Sequence, residues 1–215
     1  MFRVASQGAR YRGDISKERV LVLPVGASAL VLAVAGGVGG QPGAGEAAQL
    51  AIDALREIAP TLVRRRSQAW QRLLRAIDAA LVRDTQAGST TLVVLCLTPK
   101  KIVGASVGDS EAWWITAEGH FDLTEAQKRK PYLGSGMASP VPFELKLTQQ
   151  GTLLLATDGL FKYADPLAIT DTVRAGLSEA PEALQRLATG DLALVVAAAG
   201  RIAPWIGFLN RFKVG

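Results

Sequence analysis

Cysteine and histidine are almost missing from this chain, which has one of each, Cys96 and His120, in 215 residues. A single cysteine excludes an internal disulfide, and the pair cannot assemble a Cys/His zinc site. A Ser-His-Asp or Cys-His catalytic set would have to use His120. That residue lies in Glu118-Gly119-His120-Phe121, the pattern of a turn entering a strand. Any chemistry therefore falls to carboxylates. Charge is also missing from one long stretch, Val20 through Gly45. The stretch is long enough to cross a bilayer. Pro24, Gly26, Ser28 and a cluster of glycines interrupt it, however, and two buried strands joined by a turn at Val25-Gly26-Ala27-Ser28 explain it better. No membrane association is expected. Met1 to Ser6 lacks the apolar core of a secretory leader, so the expected location is cytoplasmic.

What is present is a core. Hydrophobic residues make up 49% and charged residues 20%, which suits one folded domain and argues against disorder. The net charge of +5 is too small over this length to indicate nucleic-acid binding, and none is expected.

Arg19–Leu23 and Ala29–Ala35 read as paired strands, after which Gly36-Gly37-Val38-Gly39-Gly40 breaks the chain. A helix is expected over Ala44–Ile58, with Ala48, Ile52, Leu55 and Ile58 on one face and Pro60 closing it. A second is expected over Thr61–Val82, with an arginine face of Arg64, Arg65, Arg66, Arg72 and Arg75. Strands follow at Thr90–Leu97, Lys101–Val107, Ala112–Thr116 and His120–Leu123. A long loop spans Thr124–Ser139, and further strands are expected at Phe143–Leu147 and Thr152–Ala156. Helices near Pro166–Leu177 and Pro181–Ala188 precede a last core strand, Leu192–Ala198. Hairpins rather than strict strand-helix alternation predict antiparallel sheets with helices packed outside. The organisation expected is one domain over residues 1–200. The tail, 201–215, carries Trp205, Phe208, Arg211, Phe212 and Lys213, and packs on the domain or serves interaction.

Aspartates next to glycines at strand ends carry the chemical signal. They are Gly13-Asp14, Gly108-Asp109, Asp158-Gly159 and Gly190-Asp191. A carboxylate at the mouth of a sheet is a hard oxygen donor for Mg²⁺ or Mn²⁺, and an adjacent glycine lets the backbone approach. Each pair alone is an ordinary turn.

Taken in order, these segments resemble the PPM-type (type 2C) metal-dependent serine/threonine phosphatases over about residues 7 to 198. Gln7-Gly8-Ala9-Arg10 with Asp14 resembles the family's opening motif, and Val34-Ala35-Gly36-Gly37-Val38-Gly39-Gly40 its Val-Ala-Asp-Gly-Met-Gly-Gly segment. Gly88-Ser89-Thr90, Gly108-Asp109-Ser110, Thr157-Asp158-Gly159-Leu160 and Asp191–Val196 resemble the motifs that follow. The resemblance implies a four-layer α-β-β-α sandwich of two antiparallel sheets flanked by helices. It implies hydrolysis of a phosphoester by a metal-bound water, with Mn²⁺ or Mg²⁺ as cofactor. It assigns catalysis to Arg10 and Asp158, metal binding to Asp14, Gly37, Asp109, Asp158 and Asp191, and substrate phosphate to Arg10 and Arg12. A monomer acting on a phosphorylated protein or binding a partner domain is implied.

The departures matter as much. The family's bridging aspartate falls on Gly36, its opening glutamate on Gly13, and the arginine after Gly-Asp-Ser is Glu111. In the last motif the metal aspartate aligns with Gly190, or with Asp191 after a one-residue shift. Glu46 is a candidate replacement for the missing carboxylate. One weakly held ion or none is expected, and with it either weakened phosphatase activity or a catalytically inactive binding module. A third reading, dinucleotide binding at Gly37-Val38-Gly39, fails because Pro42 stands where the third glycine belongs.

Overall fold

The computed structural model describes residues 2–8 and 16–199. Arg10, Arg12, Gly13, Asp14 and the tail from residue 200 onward lie outside the described residues.

Among the described residues, ten strands build two five-stranded antiparallel sheets. One is formed by β2 (Glu18–Val25), β3 (Ala29–Gly36), β4 (Leu92–Leu97), β5 (Lys101–Val107) and β8 (Val141–Lys146), in that spatial order. The other runs β1 (Phe2–Gly8), β10 (Ala193–Ala199), β9 (Gly151–Ala156), β6 (Glu111–Ile115), β7 (His120–Asp122). Helices α1 (Ala44–Ile58) and α2 (Ser67–Arg83) cover the first sheet. The short α3 (Asp158–Phe161), α4 (Pro166–Ala175) and α5 (Ala180–Leu187) cover the second. The order of layers is α-β-β-α, as the family resemblance implied.

The charge-free stretch now has a physical cause. Successive β3 side chains point to opposite faces, and both faces are covered. Val31, Ala33 and Ala35 pack beneath α1 and α2, while Leu30, Leu32 and Val34 pack between the sheets. In β10, Ala193, Val195 and Ala197 face the other sheet and Leu194 and Val196 face the outer helices. A strand buried on both faces has no position for a charge. Among the described residues no helix is long and apolar enough to cross a membrane.

Three local expectations need correction. The single helix over Thr61–Val82 is a 3-10 turn, Ala59–Leu62, followed by α2 from Ser67. Extended backbone at Arg66 separates them, so Arg64 to Arg66 precede the helix rather than ride on it. Their side chains, with Arg72 and Arg75, are exposed as expected. Phe2–Gly8, read only as lacking a leader, is an edge strand paired with β10. Asp158 opens α3 instead of ending the preceding strand.

The loop after β7 is irregular as expected, yet it is pinned. The buried Asp78 of α2 accepts backbone hydrogen bonds from Gly134 at 2.7 Å, Gly136 at 3.1 Å and Ala138 at 3.1 Å. Leu133 is fully buried and bridges to Thr90 at the entry to β4.

Candidate active site

The acidic residues gather at one end of the sandwich because strands from both sheets finish there. Glu18 begins β2 opposite Gly36, the last residue of β3. Asp109 lies in the turn between β5 and β6. Asp158 leaves β9, and Asp191 precedes β10, which is paired with β9.

Close backbone approach holds Asp158 and Asp191 together. Thr189 donates its N–H to the Gly159 carbonyl at 3.0 Å. Thr157 donates its N–H to Ala193 O at 3.0 Å, and the Ala193 N–H returns to Thr157 Oγ1 at 3.1 Å. A Cβ at position 159 would stand 2.7 Å from the Asp191 carbonyl oxygen, so only glycine fits without a shift. The same region separates the two alignments of the last motif. Gly190 has φ +89° and a Cβ there would meet nothing within 4 Å, so a carboxylate at 190 would point into open space. Asp191 Oδ1 is instead buried, without a hydrogen-bond partner, and its charge is felt at Glu18.

Glu18 is the residue that sequence reasoning missed. Its neighbours, Ser16-Lys17-Glu18-Arg19, read as an ordinary charged segment before a strand. Only the β2–β3 register shows that it faces position 36. Burial pushes its carboxyl up to about 8. The Thr157 hydroxyl and Arg19 partly offset that rise, and the negative charges of Asp158 and Asp191 add to it. Its Oε2 is buried and unpartnered. Glu46, the replacement expected from sequence, does not reach the site. It is exposed in the first turn of α1 and lines a separate cleft with Lys17, Arg19 and Asp84.

The open part of the site is a cleft of about 320 Å³ lined by Asp109, Glu111, Asp122 and Asp158, with Arg129 and Lys162 at its rim. Burial, and then Asp109, push the Asp158 carboxyl above its ordinary value, while Lys162 and Arg129 pull the other way. Arg129, from the loop after β7, pairs with Asp109 at 3.2 Å. Arg129 therefore stands at the site. Glu111, which replaces a family arginine, accepts a 2.8 Å hydrogen bond from Trp113 Nε1. His120 is exposed and stacks on Trp113, with centroids 4.1 Å apart, outside the acidic group. Cys96 is buried, which pushes its thiol up to about 11 and leaves it unreactive.

Behind the carboxylates is a polar scaffold. Gly36 donates its N–H to Thr91 Oγ1 at 3.2 Å, and its carbonyl accepts from the Thr91 N–H at 2.9 Å. Thr91 Oγ1 and Ser110 Oγ lie 2.7 Å apart. The glycine run that includes Gly37 is thereby fixed to the turn that carries Asp109.

These residues are all oxygen donors, and two buried carboxylate oxygens, Glu18 Oε2 and Asp191 Oδ1, lack partners. That is the donor chemistry of a hard divalent cation. Among the described residues no three acidic side chains converge closely enough to form a ready-made coordination shell. The donors fit the ion, although the shell is not closed in advance.

Solved structures similar to this chain include serine and serine/threonine phosphatases. A bacterial serine phosphatase variant superposes with a TM-score of 0.79 at 20% identity, covering 92% of this chain and 97% of that one. The RsbX complex with magnesium gives 0.73 at 16% identity, covering 93% and 96%. The catalytic domain of the serine/threonine phosphatase PstP with two manganese ions gives 0.72 at 18% identity, covering 93% and 98%. The fold is that of the PPM-type phosphatases. The family model described as Stage II sporulation protein E (SpoIIE) matches residues 27–201, and the chain belongs to that family. No curated protein sequence matches the chain.

Proposed function

We propose that this protein is a divalent-cation-dependent serine/threonine phosphatase whose turnover is weakened by Gly36. The observation that carries the reading is that Glu18 lies at the sheet ends within reach of the charges of Asp158 and Asp191, with two oxygens, Glu18 Oε2 and Asp191 Oδ1, buried and unpartnered. Such a group gains most from a bound Mn²⁺ or Mg²⁺. When bound, the cation supplies Lewis-acid activation of water and neutralises charge on the phosphoryl group.

The chain's own residues have separable tasks. Asp158 and Asp191 hold the cation from the second sheet, and Asp109 adds charge from the turn of the first. Gly37 and Asp14 complete the set that the family resemblance implies. Lys162 and Arg129 at the rim orient the phosphoryl oxygens, and the family resemblance assigns Arg10 and Arg12 to the substrate phosphate. Access is set by the loop that carries Arg129, because opening its pair with Asp109 frees both groups.

A phosphorylated protein is the proposed substrate, since Arg129 and Lys162 offer positive charge at the cleft for a phosphoryl group. The second reading, a binding module without turnover, is favoured by Gly36 and by the Asp109–Arg129 pair, which neutralises one candidate ligand internally. Phosphate release from a phosphoserine peptide in Mn²⁺ and in EDTA separates the two. Release that requires Mn²⁺ supports the phosphatase. Peptide binding without release in either medium supports the binding module.

A further inference from the structure

The carboxylates occupy one end of the sandwich, and cations collect at the other. Strands β4 and β10 both finish at that other end. Leu97 pairs with Ile102 near the start of β5, and Ala199 pairs with Gly151 at the start of β9. Between Ile58 and Ile77 the chain carries five arginines and no acidic residue. Three of them, Arg64 to Arg66, lie toward this end. The Val63 carbonyl just before them stands 3.9 Å from Cys96 Sγ, one residue short of the end of β4. Lys100 adds a fourth cation from the β4–β5 turn. All four are exposed, and among the described residues none of their side chains makes a hydrogen bond or ion pair. Of the acids at this end, Glu144 is taken by Lys101 at 3.1 Å, while Glu57 and Glu118 are exposed and pair with none of these cations. The arginine triplet works against the fold. Adjacent like charges repel, and cations before a helix oppose its dipole, here with no acidic residue in the first turn of α2.

The segment that follows β10 from the same end supplies the second feature. Residues 192–215 contain Arg201, Arg211 and Lys213 and no acidic residue. Trp205, Phe208, Leu209 and Phe212 recur among them at the spacing of one helical face. Aromatic residues with interspersed cations are the composition of a segment that lies in a lipid interface, and a polybasic cluster nearby is the second signal that stable surface binding needs. A nucleic-acid duplex would engage the arginines but offers nothing to the apolar stripe.

We propose that the end of the sandwich opposite the carboxylates docks on an anionic lipid surface, through Arg64, Arg65, Arg66 and Lys100 together with the segment 201–215. The acidic cleft then faces away from the bilayer and stays open to substrate. The expectation of no membrane association concerned a span through the charge-free stretch, which forms β2, β3 and the start of α1. Contact with a surface needs no spanning helix.

The test is cosedimentation of the full chain with phosphatidylcholine vesicles, with and without about one-quarter phosphatidylglycerol. Binding is expected only with the anionic lipid, and it should fall steeply as salt rises from about 0.1 to about 0.5 M. Arg64→Gln, Arg65→Gln and Arg66→Gln together should weaken it about tenfold or more, because each cation near the surface contributes separately. Lys128→Gln, Lys130→Gln and Arg186→Gln remove the same charge elsewhere and should change it less than about twofold. Trp205→Ser with Phe208→Ser should weaken it about tenfold. All three variants should melt as the original does, since none alters a buried side chain among the described residues. The proposal is overturned if the original chain does not bind the anionic vesicles, if either the arginine or the aromatic variant binds undiminished, or if the charge-matched control loses as much. Arginine-dependent binding to a DNA duplex without binding to vesicles overturns it in favour of a nucleic acid.

Discussion

Glu18 shows how one residue's surroundings set its chemistry. Burial comes first among the causes that raise its carboxyl from 4.5 to about 8, with Asp158 and Asp191 adding to the rise. The folded metal-free protein therefore binds this proton more tightly than the unfolded chain. Its stabilising contribution is complete below about pH 4.5 and is lost as pH rises through about 8. One pKa unit corresponds to roughly 1.4 kcal/mol, so the loss amounts to several kcal/mol at most. Metal-free protein should melt at progressively lower temperature between pH 5 and 9, and Glu18→Gln should flatten that slope. A slope unchanged by the substitution would mean that Glu18 is ionised at neutral pH. Asp158 shifts in the same direction through burial and Asp109, so some slope should remain in the variant.

At the scale of elements, the loop after β7 depends on α2. Three backbone donors, from Gly134, Gly136 and Ala138, converge on the Asp78 carboxylate. Truncation would strand three partly buried N–H groups, so Asp78→Ala should cost about 3 kcal/mol, read from urea unfolding. Asp78→Asn keeps one acceptor oxygen and should cost less. Loss of less than about 0.5 kcal/mol in the alanine variant would show that the loop is held by other means.

The same scale shows what sequence could reveal. Helix α1 matched its expected span, because glycine precedes it, Pro60 closes it and its apolar positions recur at helical spacing. The buried strands β3, β4 and β9 were legible from unbroken apolar runs. Strand β1 was not, because its partner β10 lies at the opposite end of the chain and Phe2–Gly8 has little apolar alternation of its own. The aspartates of the site were legible because each adjoins a glycine in a motif. Glu18 has no such neighbour, and its role is created by a cross-strand register that local sequence does not encode. Asp78 was hidden for a similar reason, as its partners lie 56 to 60 residues away.

The whole molecule supplies what no single element holds. Two sheets from distant parts of the chain bring their carboxylate-bearing ends together, and three apolar layers keep those ends in register. The central claim is that this junction hydrolyses phosphoesters with the help of a divalent cation. The most direct measurement is p-nitrophenyl phosphate hydrolysis in Mn²⁺ by the original chain and by Asp158→Asn. The account predicts turnover that EDTA abolishes and that falls about 10³-fold or more in the variant. Turnover that is absent from the original chain, or that survives either EDTA or the substitution, would contradict it.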